Sequence, residues 1–125
     1  MGMFELARRG KMDLFFLGGA QIDGQANINL TVIGDHDDPE LRLAGSRGSA
    51  QLYYTANRVI IFRLEHTKRV MVPKVDFVTS PGVSDERVLR HGGPMLMITN
   101  ICVMKFLKDE RMFELESVHP GYSIQ

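Results

Sequence analysis

The chain has 125 residues, 44% of them hydrophobic, and its fifteen basic and fifteen acidic side chains leave a formal net charge of zero. That size supports one domain with a modest core, and the hydrophobic content excludes a disordered chain. The charge balance excludes bulk attraction to nucleic acid or anionic lipid, and no apolar run approaches the length of a membrane span. Cys102 is the one cysteine, which rules out an intrachain disulfide and a cysteine-based metal site. Between Ile101 and Val103 it reads as a buried small hydrophobe in a reduced, cytoplasmic protein.

In chain order, Met1 to Gly10 reads as a helix end: Phe4, Leu6 and Ala7 are apolar, Arg8 and Arg9 lie in the last turn, and Gly10 is the stop. The chain therefore opens as if in the middle of a fold. Arg8, Arg9 and Lys11 ahead of Leu14 to Ala20 imitate a signal peptide. Asp13 and two glycines break that pattern, so a cytosolic strand is expected instead. Asp13 to Leu17 is the apolar run of a strand covered on both faces. Gly18 and Gly19 open its end, Gln21 to Asn27 forms a polar turn, and Asn27 to Ile33 alternates as the next strand.

Asp35 to Glu40 is an acidic loop stopped by Pro39, and Gly45 to Ser49 is a glycine-containing turn. Ser49 is the expected cap of a short helix running to Ala56. Arg58 to Leu64 is a β-branched strand. Val70 to Val72 and Val75 to Thr79 read as short strands, and Val83 to Pro94 as a surface loop. Met95 to Phe106 is one strand or two. A turn at Lys108 to Glu110 leads into a last strand, Arg111 to Val118, and His119, Pro120 and Gly121 close the fold.

Three places can carry chemistry. Gly18, Gly19, Ala20 and Gln21 open a strand end to a ligand, with the Gln21 amide aimed at a carbonyl, or else form a tight bend. Gly45, Ser46, Arg47, Gly48 and Ser49 offer backbone N–H groups to an anion or oxyanion, or simply feed a helix cap. They lack the ending of a phosphate-binding P-loop. Glu65 and His66 are either an acid–base pair or part of an exposed polar loop, with Lys68 and Arg69 as phosphate holders. No pair among His36, His66, His91 and His119 has helical metal spacing, so no metal site is expected.

Together, GGAQID at 18–23, NINLTVIGD at 27–35, AGSRGS at 44–49, EHTKR at 65–69, KVDFVTSPG at 74–82, ITNICVMKF at 98–106 and SVHPG at 117–121 resemble the β subunit of the family I coenzyme A transferases, above all that of the glutaconate CoA-transferase type. The resemblance covers nearly the whole chain. It implies a partial CoA-transferase fold: α/β, with a mixed, strand-rich sheet and few helices. It implies a single domain over 1–125 that lacks the family's N-terminal portion. It further implies a ping-pong reaction through a glutamyl-CoA thioester, with coenzyme A thioester as substrate and no permanently bound cofactor. The family's nucleophilic glutamate lies in a Ser-Glu-Asn-Gly motif upstream of everything matched here. None of Glu5, Glu40, Glu65, Glu86, Glu110, Glu114 or Glu116 sits in such a motif, so no nucleophile is assigned.

Carried onto this sequence, the resemblance makes Gly48 and Arg47 the oxyanion or carboxylate contacts. Gly19, Gln21, Gly45, Ser46 and Ser49 line the substrate pocket, while Glu65 and His66 support it from behind. Two departures stand out. Arg47-Gly48-Ser49 replaces the usual Gly-Gly-Ala, as in relatives that hydrolyse carbon–carbon bonds of ring CoA esters, and Ala26 replaces the usual Gly before Asn27. The leading expectation is a β-type subunit, or the C-terminal half of one, that moves CoA between carboxylic acids. The expected partners are an α-type subunit and a separate N-terminal β fragment in a homo- or hetero-oligomer. The alternatives are a subunit of a CoA-ester ring-opening hydrolase, with Arg47 binding a substrate carboxylate, and a non-catalytic assembly module.

Overall fold

The structure is a computed structural model that describes residues 2–85, 87–88 and 90–123. In chain order it contains α1 (Met3–Arg8), β1 (Phe15–Leu17), β2 (Gln21–Ile22), β3 (Ile28–Asn29), β4 (Val32–Gly34), β5 (Pro39–Arg42), α2 (Ser49–Thr55), β6 (Val59–Arg63), β7 (Pro94–Thr99), β8 (Cys102–Leu107) and β9 (Met112–Val118). One five-stranded sheet has the order β1-β6-β7-β8-β9. Its first three strands are parallel, and β8 and β9 extend it antiparallel. Two antiparallel ribbons, β2 with β3 and β4 with β5, complete a mixed, strand-rich α/β fold with few helices.

The β-branched run at 58–64 becomes β6, flanked by β1 and β7. Its alternation buries Val59 and Ile61 against a core that includes Leu17, Ile22, Ile28, Tyr53 and Met97. Tyr53 on α2 is fully buried, and its hydroxyl donates to the Ala26 carbonyl at 2.8 Å. Burial pushes the Tyr53 phenol far above its ordinary titration range, against the opposing pull of Arg90, so the hydroxyl remains a donor. Ala26 holds φ +62. The left-handed turn is thus made by alanine where glycine is the easier residue, and Tyr53 clamps it.

The opposite face of the sheet is bare. Phe16, Phe62 and Leu64 are 60%, 47% and 68% exposed. Strand register aligns Phe16 with Ile60, Ile60 with Leu96 and Phe62 with Ile98, so these side chains share one face. The expectation that Asp13 to Leu17 is covered on both faces is therefore wrong for this chain. Its apolar character is that of a parallel strand built to be covered, but only one side has a cover here.

Several other expectations are corrected by side chains that take over backbone hydrogen bonds. Asn27 to Ile33 is not one strand. Asn29 Oδ1 accepts from the N–H of Thr31 and Val32, and its Nδ2 donates to the Val32 carbonyl at 2.6 Å. The chain turns there and passes from the β2–β3 ribbon to the β4–β5 ribbon. Val75 to Thr79 is not a strand either. Val75 N–H goes to Asp23, Asp76 N–H goes to Gln21, and only Ser80 bridges to Ile28. Met71 makes just an isolated bridge with Ile22, so Val70 to Val72 is not a strand. The acidic loop ends earlier than expected, because Pro39 starts an edge strand, where its missing N–H does no harm.

Met95 to Phe106 divides into β7 and β8 at Thr99, whose hydroxyl accepts from the N–H groups of Ile101 and Cys102. The β8–β9 turn lacks glycine, and Arg111 adopts φ +56 in its place. The 83–94 stretch is a loop as expected up to Pro94, which begins β7; Glu86 and Leu89 lie outside the described residues.

Tyr53→Phe strands the Ala26 carbonyl. It is expected to lower stability in urea unfolding by about 1–2 kcal/mol. Tyr54→Phe, which keeps its ring under the Arg90 guanidinium at 4.6 Å, is expected to change stability by less than about 0.5 kcal/mol.

Candidate functional site

The carboxyl ends of β1, β6 and β7 lead into Gly18–Gln21, Leu64–His66 and Asn100, and strand ends of this kind are where open α/β sheets place ligands. Both glycines are required by close packing. A Cβ on Gly18 would stand 3.0 Å from the Phe62 carbonyl oxygen, and one on Gly19 would overlap the Ile28 Cγ2 methyl.

Gln21, expected to aim its amide at a substrate, is instead occupied within the chain. Its Nε2 donates to Asp76 Oδ2 at 3.0 Å, and its Oε1 accepts from Asn29 Nδ2 at 2.8 Å and from Asp76 N–H at 2.9 Å. Asp76 Oδ2 also accepts from Gly34 N–H at 2.9 Å. Gln21 borders a cleft, yet its role there is to hold the wall.

Glu65 and His66 do not form a pair with each other. Both Glu65 oxygens take hydrogen bonds from Arg69, at 2.7 and 3.1 Å, and Thr67 adds a third at 2.7 Å. The Arg69 hydrogen bonds and the Thr67 hydroxyl hold the Glu65 carboxyl well down, at about 2. A carboxylate so held is a poor proton carrier near neutral pH. His66 turns the other way. Its Nδ1 meets Thr99 Oγ1 at 2.9 Å and lies 3.8 Å from Cys102 Sγ, while His119 Nε2 contacts the Thr99 carbonyl at 2.9 Å.

The 45–49 turn makes no hydrogen bond to these groups among the described residues. Gly45, Arg47 and Gly48 have φ of +80, +49 and +90. Gly45 N–H is used by the Leu30 carbonyl, and Ser49 N–H by Ser46. The N–H groups of Ser46, Arg47 and Gly48 have no acceptor among the described residues. Gly48 caps α2, correcting the expectation for Ser49, which is the first helical residue. Ser49 Oγ is buried without a partner among the described residues. A Cβ on Gly48 would run into the Phe4 ring of α1 at 2.6 Å, so glycine is demanded by space as well as by φ. Arg47 is exposed.

A cleft of about 550 Å³ lies where the strand ends meet the β4–β5 ribbon. Ala20, Gln21, Arg63 and Arg69 form one side, and Ile33, Glu40 and Leu41 the other. Arg63 was not singled out from the sequence, although the signal was present. It continues the inward phase of Val59 and Ile61, where a charge has to be explained. Its Nε is buried without an acceptor among the described residues, and its Nη2 stands 4.0 Å from Glu65 Oε1. A buried donor left unmatched costs about 1–3 kcal/mol. Among the described residues, no group of three or more His, Cys, Asp or Glu is placed to hold a metal ion, and no helix is long and apolar enough to cross a membrane.

A family model described as Coenzyme A transferase matches residues 2–125. The chain is 37% identical over 118 residues to the β subunit of 3-oxoadipate CoA-transferase from Pseudomonas knackmussii, an alignment covering 90% of this chain and 45% of that protein. It is 38% identical over 115 residues to the β subunit of glutaconate CoA-transferase from Acidaminococcus fermentans, covering 86% of this chain and 42% of that one. The crystal structure of the Acidaminococcus glutaconate coenzyme A-transferase superposes with a TM-score of 0.77 at 36% identity, over 88% of this chain and 44% of that chain. That of the decarboxylase AibA/AibB superposes with a TM-score of 0.81 at 28% identity, over 97% and 46%. The chain thus spans less than half the length of the curated relatives it matches.

The Glu65–Arg69 pair makes a pH prediction. The folded-state pKa is depressed. The pair's contribution to stability is therefore whole above the ordinary carboxylate range and is lost as pH falls towards about 2. Side-chain exposures of 31% for Glu65 and 79% for Arg69 leave solvent to temper the effect. A carboxyl-carbon NMR titration is expected to place the Glu65 midpoint near 2, and Arg69→Met to return it towards the usual glutamate value of about 4.3.

Proposed function

This chain belongs to the coenzyme A transferase family, and on that premise we propose that it is a β-type subunit, or the C-terminal half of one, of an enzyme that moves CoA between carboxylic acids. The observation that carries the reading is the match over residues 2–125, joined to two relatives that are each the β subunit of a CoA-transferase. Both are transferases, so the ring-opening hydrolase alternative is not favoured.

The chemistry begins when a carboxylate attacks the thioester carbonyl of an acyl-CoA, placing negative charge on the carbonyl oxygen. Preorganised N–H donors lower that barrier more than any other single device. In our reading the N–H groups of Arg47 and Gly48 supply them, because they have no acceptor among the described residues. Gly45, Ser46 and Ser49 shape the turn, and Arg47 adds an exposed positive charge at the site mouth. Gly19 and Gln21 form the wall of the acyl pocket, and Glu65 and His66 brace it through Arg69 and Thr99. The thioester is substrate, and no resident cofactor is invoked. We assign no nucleophile to this chain. Glu65 is excluded because all its bonds to Arg69 and Thr67 would have to break before it could attack.

We further propose a hetero-oligomer with an α-type subunit, and with a separate N-terminal β fragment where one exists. The bare apolar face around Phe16, Phe62 and Leu64 supports this, since a parallel sheet is normally covered on both sides. A reducing cytoplasm suits the single buried thiol of Cys102.

The test is to co-express the chain with its α-type neighbour and measure CoA exchange between an acyl-CoA and a free carboxylate. Ping-pong kinetics are expected, with kcat reduced about 100-fold or more by Gly48→Ala, which displaces an oxyanion donor. Because a Cβ at position 48 also meets the Phe4 ring, circular dichroism and assembly of the Gly48→Ala complex have to match those of the unaltered complex for the loss to count. An assembled complex that neither binds nor turns over a CoA ester would leave the assembly-module alternative in its place.

A further inference from the structure

Thr99 ends β7, is buried, and is met by two histidines from different segments. A hydroxyl has one proton to give and two lone pairs with which to accept. Thr99 Oγ1 accepts from the N–H groups of Ile101 and Cys102, each at 3.2 Å, which fills both lone pairs. Its proton is left for a neighbour that can accept. His66 Nδ1 stands at 2.9 Å, whereas the Cys102 carbonyl oxygen is 3.4 Å away. The shorter contact makes Nδ1 the bare nitrogen, and a neutral imidazole with a bare Nδ1 carries its proton on Nε2. Cys102 Sγ, 3.8 Å from the same nitrogen, is a weak S–H donor and agrees with that assignment. The His66 backbone is held as well, because its N–H donates to Asn100 Oδ1 at 3.0 Å. The Thr99 carbonyl can only accept, so His119 Nε2, at 2.9 Å, is the donor in that contact.

His66 lines a groove of about 460 Å³ on the packed side of the sheet, a volume within the range of small-molecule sites. No described residue lines both this groove and the cleft at Arg63. Its walls include Ile22, Met71, Met97, Met104 and Phe113, which belong to the core or pack against it. Methionines adapt to the outline of an apolar guest. The Asp23 carboxylate also borders the groove, its oxygens taken up by the N–H groups of Gln25, Asn27 and Val75 and by the Asn27 amide. Among the described residues no lysine or arginine lines the groove, so an anion entering it would meet a like charge with no offset. The polar feature on offer to a guest is the His66 Nε2–H. Nε2 makes no hydrogen bond among the described residues and is not one of the sealed, unpartnered polar atoms.

We propose that Thr99 is a positioning residue that fixes His66 as the Nε2–H tautomer, and that this N–H holds the carbonyl oxygen of a neutral, largely apolar molecule in the groove. His66 is then a hydrogen-bond donor at this site and not a proton acceptor. Neither half of the proposal depends on which reaction an assembled enzyme carries out.

The full 125-residue chain, labelled with 15N-histidine, provides the test by NMR at alkaline pH, where free imidazole is neutral. His66 is expected to show an unprotonated Nδ1 and a protonated Nε2. Thr99→Ser, which keeps the hydroxyl, is expected to preserve that pattern, and Thr99→Val to replace it with a mixture of tautomers. Acetophenone and ethylbenzene, matched in shape but differing in the carbonyl, then probe the groove. Acetophenone is expected to bind about 3–10-fold more tightly, as one neutral hydrogen bond allows, and to shift the Nε2 resonance. His66→Phe is expected to abolish the difference between the two probes, and His66→Gln, whose amide N–H reaches the Nε2 position, to retain it.

A proton on His66 Nδ1, or a mixture of tautomers in the unaltered chain, overturns the proposal. So does a tautomer that Thr99→Val leaves unchanged. Acetophenone that does not bind, binds no more tightly than ethylbenzene, or leaves Nε2 unmoved overturns the groove assignment. Should Thr99→Val not fold, Thr99→Ser decides in its place, and loss of the fixed tautomer there is fatal. CoA transfer enters none of these measurements, so its absence from an assembled complex would count against the transferase reading alone.

Discussion

Gln21, Asn29 and Asp76 are joined by hydrogen bonds of 2.8 to 3.0 Å in the part of the fold where strand ends and ribbons meet. Asn29 is fully buried and Gln21 nearly so, and a buried amide must be satisfied or it destabilises the fold. Meeting that requirement ties three segments together: the bend after β1, the crossing between the two ribbons, and the irregular stretch around Asp76. It also explains why Val75 to Thr79 is not a strand, since the Asp76 backbone is claimed by a side chain. A network of this kind is rigid because no member can leave without stranding another. The floor of the cleft is thereby fixed, and the amide that a substrate-facing reading would use is withdrawn from chemistry.

Charge is apportioned unevenly nearby. One carboxylate, Glu65, faces two arginines and holds them unequally. Arg69 takes it in a two-pronged geometry at 2.7 and 3.1 Å, whereas Arg63 is left at 4.0 Å. Coulomb attraction alone would not choose so sharply between them. Directional N–H to oxygen bonding does, because a fork-shaped donor that matches both oxygens outcompetes one that touches a corner. The result is one arginine held in a two-pronged ion pair beside another that reaches the same carboxylate only at 4.0 Å.

The relationship to the coenzyme A transferases gives this geometry its setting. The matched relatives are more than twice as long as the aligned part, and the superposed chains likewise extend well beyond it. Within the part that is shared, the parallel strands carry apolar residues on both faces while only the Tyr53 side is packed. The 45–49 turn with its unaccepted N–H groups, the cleft at Arg63 and the bare sheet face are three separate features of the described residues.

Short-range pattern was enough to identify β6, strand character from Met95 to Phe106 and from Arg111 to Val118, both helices and the family itself, because β-branched runs, helix stops and ordered motifs are local properties. It also marked the glycine-containing turn at 45–49, in which the structure gives Gly45 and Gly48 positive φ. The uses of Gln21, Glu65 and His66 were not legible in the same way. Residues adjacent in sequence, Glu65 and His66, diverge to Arg69 and to Thr99, and Gln21 is claimed by residues 8 and 55 positions away. Hydrogen-bond partners across such separations are chosen by packing, which composition and spacing do not encode locally. Arg63 falls between the two cases. Its inward phase was written in the strand, but only the tertiary fold, by giving both Glu65 oxygens to Arg69, left it 4.0 Å from that carboxylate.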